Sequence, residues 1–132
     1  MTCSMTQTKS TILCVDDHQD TRSLLTCLFT LEGYGVMVAG TIAEALAFAR
    51  RTAFDLFILD MLFPDGSGLD LCNQLRDLQP DVPVAFYSGV VDKNQVKRAF
   101  EAGGKMYLQK PLEVSDLQGA VNTLLGDREL AF

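Results

Sequence analysis

From residue 11 onward, short apolar runs alternate with stretches in which apolar residues recur every three or four positions. The first run, residues 11–15 (TILCV), is nearly all apolar, as expected of a parallel strand covered on both faces. It ends in Asp16 and Asp17. Asp20 then stands as the N-cap of a helix carrying Leu24, Leu25, Leu28 and Leu31 and closed by Gly33. Residues 34–39 read as a second strand. Thr41 opens a helix bearing Ile42, Ala45, Leu46 and Ala49, with Glu44 three residues on to complete a capping box. Residues 56–59 form a third buried strand that ends at Asp60, and Pro64, Asp65, Gly66 and Gly68 mark the loop beyond it. A helix with Leu69, Leu71, Cys72, Leu75 and Leu78 follows, and then a fourth strand over 82–87 that ends at Ser88. The pattern predicts a helix over 93–102 stopped by Gly103 and Gly104, and a short strand over 106–108 leading to Lys110 and Pro111. A last helix over 114–125 carries a stripe of Val114, Leu117, Val121, Leu124 and Leu125.

Five strands alternating with five helices imply an α/β fold, a doubly wound five-stranded parallel sheet with right-handed crossovers. The expected division is a polar N-terminal tail over 1–10, one domain over 11–126 and a short C-terminal tail over 127–132. The length of 132 residues suits one domain, and a composition 48% hydrophobic and 21% charged can bury a core. A formal net charge of −6 argues against direct contact with nucleic acid, whose phosphates it would repel. The first ten residues carry no cationic start followed by an apolar run, so no signal peptide is expected, and no run is long enough to span a bilayer. Cys3, Cys14, Cys27 and Cys72 are widely spaced and share the chain with a single histidine, His18. They suggest reduced thiols in a cytoplasmic protein rather than a zinc site.

The polar residues that interrupt this pattern share one topological position. Asp16 and Asp17 follow the first strand, Asp60 the third, Ser88 the fourth and Lys110 the fifth. Ligands of open parallel sheets bind at that edge, where the strand order reverses. A strand order of 2-1-3-4-5 puts Asp60 in the middle, between the acidic pair and Ser88. Three carboxylates within about 4–6 Å repel one another by a few kcal/mol per close pair, more than one lysine offsets. A hard divalent cation resolves that repulsion, and an all-oxygen site of a few carboxylates suits Mg2+. With the cation bound, Asp60 becomes a candidate nucleophile toward phosphorus, with Ser88 and Lys110 facing the phosphoryl oxygens.

The motifs Val15–Asp16–Asp17, Leu59–Asp60 with the loop to Gly68, Tyr87–Ser88–Gly89, and Tyr107 to Lys110–Pro111 resemble those of bacterial two-component response-regulator receiver domains. The likeness runs from about Thr11 to Leu125, and it implies the flavodoxin-like receiver fold. It further implies Asp60 as phosphoacceptor and magnesium held by Asp17, Asp60 and the Leu62 backbone carbonyl, with Asp16 assisting through water. Ser88 and Tyr107 would be the switch residues, Lys110 the switch lysine, and Lys110–Pro111 a cis peptide. The implied donor is a sensor histidine kinase or histidine phosphotransfer protein. The implied output is a downstream protein met through the face of the fourth helix, fifth strand and fifth helix, with no membrane partner. Such a domain catalyses its own phosphorylation and slow dephosphorylation and is not otherwise an enzyme. Gly103–Gly104–Lys105–Met106 departs mildly from the usual sequence there.

Two other classes compete. A phosphorylation-independent interaction module on the same fold would usually lack Asp60, Lys110 or the acidic pair. An aspartyl-phosphate phosphatase would place a second acidic residue where Leu62 stands. His18 reads as a partly exposed loop residue, since no triad nucleophile accompanies it. The glycines at 33 and 35 follow a helix and lack a third partner, so they form no dinucleotide fingerprint. Leu62 and Val90 place apolar groups beside the site, where they would not orient an attacking water, which predicts slow self-dephosphorylation. The chain ends soon after the fifth helix, which favours a stand-alone receiver over one excised from a longer regulator.

Overall fold

The computed structural model describes residues 10–89, 92–111 and 113–130. Five parallel strands form one sheet: β1 (Thr11–Val15), β2 (Gly35–Ala39), β3 (Leu56–Asp60), β4 (Val84–Ser88) and β5 (Met106–Gln109), in the order β2-β1-β3-β4-β5. Five helices connect and flank them: α1 (Gln19–Leu31), α2 (Ile42–Ala49), α3 (Gly68–Leu78), α4 (Lys93–Glu101) and α5 (Val114–Leu130). Between β3 and α3, Leu62–Phe63 and Gly66–Ser67 pair antiparallel in a two-residue ladder. The doubly wound sheet and the five helices are those the hydrophobic pattern predicts, and the strand order is the expected 2-1-3-4-5.

Two cores follow from the pleat of the sheet, because successive strand residues point to opposite faces. Leu13, Val15, Phe57, Leu59, Val84 and Phe86 pack with α2, α3 and Ala99 of α4. Ile12, Cys14, Leu56, Ile58 and Tyr87 face α1 and α5, where they meet Leu25, Phe29, Leu117, Val121 and Leu125. Both faces are covered, which is why the strands lack polar alternation.

Several boundaries differ from the sequence expectation. Helix α1 starts earlier, with His18 in the N-cap position, extended and giving no side-chain cap, while Asp20 lies inside the first turn. The first helical hydrogen bond runs from the Arg22 N–H to the His18 carbonyl at 3.1 Å, so Asp20 comes too late to cap. On α1 the buried residues are Leu25 and Phe29, while Leu24 and Leu31 are 56% and 81% exposed. The docked stripe is shifted by one position, because Phe29 completes it and packs edge-on against Tyr34. Helix α5 runs to Leu130 instead of stopping at Leu125. Val114 on the same helix is exposed and Leu124 only partly buried. Ser10, assigned to the N-terminal tail, is buried, and its carbonyl accepts from Gly35 at 2.8 Å.

The start of α2 is fully accounted for. Thr41 accepts from the Glu44 N–H at 3.1 Å, and Glu44 reaches back to the Gly40 N–H at 2.7 Å. The remaining first-turn donors, Ile42 and Ala43, give their N–H groups to Asp65 at 3.1 and 3.3 Å. Asp65 thereby ties the loop after β3 to a helix more than 20 residues earlier in the chain. The chain leaves α1 through Gly33, whose φ of 93° a side chain would resist.

Candidate functional site

The carboxyl edge of the sheet brings the expected polar residues together. Asp16 extends β1, its N–H donating to the Ala39 carbonyl at 3.0 Å, and Asp60 ends β3 opposite Tyr87 of β4. The pleat puts Asp16, Asp60 and Tyr87 on one face of the sheet, that of α1 and α5. From the end of β5, Lys110 donates its N–H to the Ser88 carbonyl at 2.8 Å, and the Lys110–Pro111 peptide is cis.

Asp16 is wholly buried, and its carboxylate is saturated by the chain's own donors. Oδ1 accepts the His18 backbone N–H at 2.8 Å and lies 2.9 Å from the His18 ring Nδ1. Oδ2 accepts the Tyr87 hydroxyl at 2.5 Å and Lys110 Nζ at 3.2 Å. Four donors match the roughly four lone-pair directions of a carboxylate. Burial alone would raise its pKa. The hydrogen bonds from Tyr87 and His18, with the Lys110 charge, outweigh that and hold Asp16 below the usual carboxylate range. Burial, followed by the Asp16 charge, pushes the Tyr87 phenol far up, so it stays a donor.

Asp60 is 6% exposed. Its Oδ1 accepts the Met61 N–H at 2.7 Å and its Oδ2 accepts Lys110 Nζ at 3.0 Å. Burial of the ammonium works against its charge, but its bonds to Asp60 and Asp16 prevail and raise the Lys110 pKa. The same ammonium sits 4.6 Å from the centre of the Tyr87 ring, within cation–π range. Lys110 thus bridges two carboxylates that would otherwise repel.

Asp17, His18, Asp60, Leu62, Ser88, Gly89 and Lys110 line an open cleft of about 430 Å³. Asp17 is exposed in it and Ser88 is buried at its wall. One ligand-capable atom from each of Asp16, Asp17, His18 and Asp60 lies within 4.8 Å of the others. Carboxylate oxygens at this spacing are the donor chemistry that a hard divalent cation requires. Gly68 starts α3 against the end of β3, where a Cβ would collide with the Asp60 carbonyl and Met61.

Tyr107 lies on the opposite face from Tyr87, partly buried beside the α4-side core, with its hydroxyl accepting from Gln95 at 3.3 Å. Sequence reasoning missed Tyr87 as part of the site, although strand alternation carries the signal: Tyr87 shares its face with Asp60. It also set His18 aside as a loop residue, whereas the ring lies against both aspartates, 3.2 Å from Asp17 Oδ1. Val90 falls outside the described residues.

The chain as a whole is similar to known proteins. The family profile described as "Response regulator receiver domain" matches residues 12–122. The chain belongs to the response regulator receiver family. It is 32% identical over 114 residues to the DNA-binding response regulator MtrA of Mycobacterium leprae, covering 86% of this chain and 50% of that protein. The sensor histidine kinase AruS of Pseudomonas aeruginosa is 34% identical over 114 residues, 83% of this chain but 11% of that protein. A solved CheY-like receiver domain protein from Methanospirillum hungatei superimposes with a TM-score of 0.86 at 28% identity, covering 90% of this chain and 95% of that one. The chain therefore spans about half or less of the length of the curated relatives it matches.

The expectation of no nucleic-acid contact does not fit a relative named as DNA-binding, taken as a whole protein. No helix among the described residues is long and apolar enough to cross a membrane.

Proposed function

We propose that this receiver accepts a phosphoryl group on Asp60 from a phosphohistidine of a sensor kinase or phosphotransfer protein, in a reaction that requires Mg2+. The observation that carries this reading is Lys110 Nζ bridging Asp60 and Asp16 beside a cleft shared by Asp17 and Ser88. In it, Asp17, Asp60 and the Leu62 backbone carbonyl hold the ion, and the saturated Asp16 acts indirectly. When bound, the ion supplies the positive charge that offsets the carboxylates and draws in phosphoryl oxygens. The Asp60 carboxylate forms the new bond to phosphorus as the bond to the donor imidazole breaks. Lys110 follows the phosphoryl charge while keeping its hold on Asp60, and the Ser88 hydroxyl donates to a phosphoryl oxygen. Gly89 leaves room beside that oxygen, since nothing lies within 4 Å of where its Cβ would be.

A phosphoryl group adds about −1.5 to −2 charge. Drawing Ser88 toward it shifts the β4–α4 connection, Tyr107 turns inward, and the face of α4, β5 and α5 changes for a downstream protein. The role is that of a phosphoacceptor without turnover on other substrates, acting in the cytoplasm. Whether the receiver acts alone or within a longer regulator, the chemistry at Asp60 is the same.

The test is intact-mass spectrometry after incubation with acetyl phosphate, with and without Mg2+, using Asp60→Ala as control. One phosphoryl adduct requiring both Mg2+ and Asp60 is expected. A folded, ion-binding protein that takes no adduct would point to a phosphorylation-independent interaction module.

A further inference from the structure

Tyr87 of β4 immediately precedes Ser88, and its hydroxyl reaches past β3 to Asp16 at the end of β1. Two donors therefore meet at Asp16 Oδ2, the Tyr87 hydroxyl at 2.5 Å and Lys110 Nζ at 3.2 Å. They differ in freedom. The Tyr87 ring is fully buried in the α1–α5 core, whereas the Lys110 side chain is 24% exposed at the cleft. Lys110 Nζ also holds Asp60 Oδ2 at 3.0 Å, so it has a second carboxylate to turn to. Asp16 itself has no exposed surface, so bulk water does not replace a donor that leaves it. A buried carboxylate oxygen stripped of its donors is costly.

We infer that Tyr87 is a positioning residue for phosphoryl transfer, its hydroxyl keeping Asp16 Oδ2 satisfied while Lys110 turns from Asp16 to the phosphoryl group on Asp60. The inference rests on the phosphoacceptor reading of the cleft. In that reading Lys110 serves the incoming charge, and its bond to Asp16 holds it back. Asp16 Oδ1 is already taken by the backbone N–H and ring of His18, so relief has to come at Oδ2. A hydroxyl fixed there lowers the cost of releasing the ammonium. Tyr87→Phe isolates that effect. The ring lies 4.6 Å from Nζ and phenylalanine supplies it equally, so the cation–π contact stays and only the hydroxyl goes. Oδ2 then keeps only Lys110, and Lys110 stays with Asp16.

The test uses the full chain with phosphoramidate as donor, at saturating Mg2+ and well below the melting temperature of each variant. The Asp60 oxygen forms its bond to phosphorus as the P–N bond breaks and ammonia leaves, and intact-mass spectrometry of quenched samples gives the rate. The rate constant for Tyr87→Phe should fall on the order of 10-fold, as expected for one hydrogen bond to a buried charge. Mg2+ affinity, measured by titration calorimetry, should change much less. In an Asp16→Asn background the same Tyr87→Phe change should cost no more than about 2-fold, because no buried charge is left for the hydroxyl to serve. A Tyr87→Phe protein that reacts at the wild-type rate would overturn the positioning role and leave the phosphoacceptor reading standing. A full 10-fold loss persisting in Asp16→Asn, or one matched by an equal loss of Mg2+ affinity, would do the same, since a merely structural tyrosine acts without regard to Asp16. If the wild-type chain takes no phosphoryl group at all, the reading of the cleft beneath this inference falls with it.

Discussion

Replacing Tyr87 with Phe isolates the bond on which the buried Asp16 depends. The ring is fully buried in the α1–α5 core, so Phe fills the same space and opens no cavity. What is lost is one hydrogen bond from a neutral hydroxyl to a buried carboxylate, and Oδ2 keeps only Lys110. Hydrogen bonds to charged groups contribute about 1.5–3 kcal/mol, and the exposed unfolded chain gains nothing from the change. We therefore expect Tyr87→Phe to destabilise the metal-free protein by about 2 kcal/mol at neutral pH, a Tm drop of roughly 6–10 °C for a domain of this size. The loss depends on pH with a definite sign. Asp16 titrates below its unfolded value when folded, so its contribution is present above the unfolded pKa and is lost as pH falls through the folded one. Removing the Tyr87 bond while burial persists moves the variant's folded pKa up. The gap between the two proteins is therefore full near neutrality and narrows as pH falls through the carboxylate range. Urea unfolding in chelator at a series of pH values measures it. A gap that is absent, or that stays constant into acid, would refute the claim that Tyr87 acts through the Asp16 charge.

Four further outcomes follow from the structure. Saturating Mg2+ should raise the Tm of the wild-type chain but not of Asp60→Ala, with about 2.7 kcal/mol of stabilisation at 100 times the dissociation constant, read by differential scanning calorimetry. Leu62 is 63% exposed beside Asp60, and a Leu62→Asn, Val90→Glu variant should lose its phosphoryl group faster by a factor on the order of 100, followed by mass spectrometry after the donor is removed. Gly119→Ala on α5 meets no atom within 4 Å and should gain about 0.5–1 kcal/mol in chemical unfolding. Gly68→Ala should lose about 2–3 kcal/mol or more, because its Cβ strikes the backbone of Asp60 and Met61.

The fold was legible because each strand is a nearly unbroken apolar run, a pattern that parallel sheets buried on both faces require. The assembly of Asp16, Asp17, Asp60, Ser88 and Lys110 was legible because each residue directly follows or ends a strand. Their roles rested on motif likeness, since neither spacing nor apolar pattern distinguishes a ligand from a turn residue. Local sequence did not reveal which neighbours complete the site. Tyr87 reads as one more strand aromatic until the register places it across β3 from Asp16. The cap of α1 was misread because Asp20 has the right chemistry two residues too late. The α1 stripe was misjudged because Leu24 and Leu31 fit helical spacing as well as Phe29 does; only the packing of Tyr34 chooses between them.

Asp65 carries a consequence for anyone mapping this protein by mutational scanning. Its carboxylate clamps the loop after β3 onto the start of α2, yet it does not line the cleft. A screen scored only on signalling output would rank it beside Asp17 and Lys110, because releasing the clamp frees the loop that carries Leu62. Scored on abundance as well, Asp65 would separate from them: its variants fail by loosening a joint, theirs by removing a reactant.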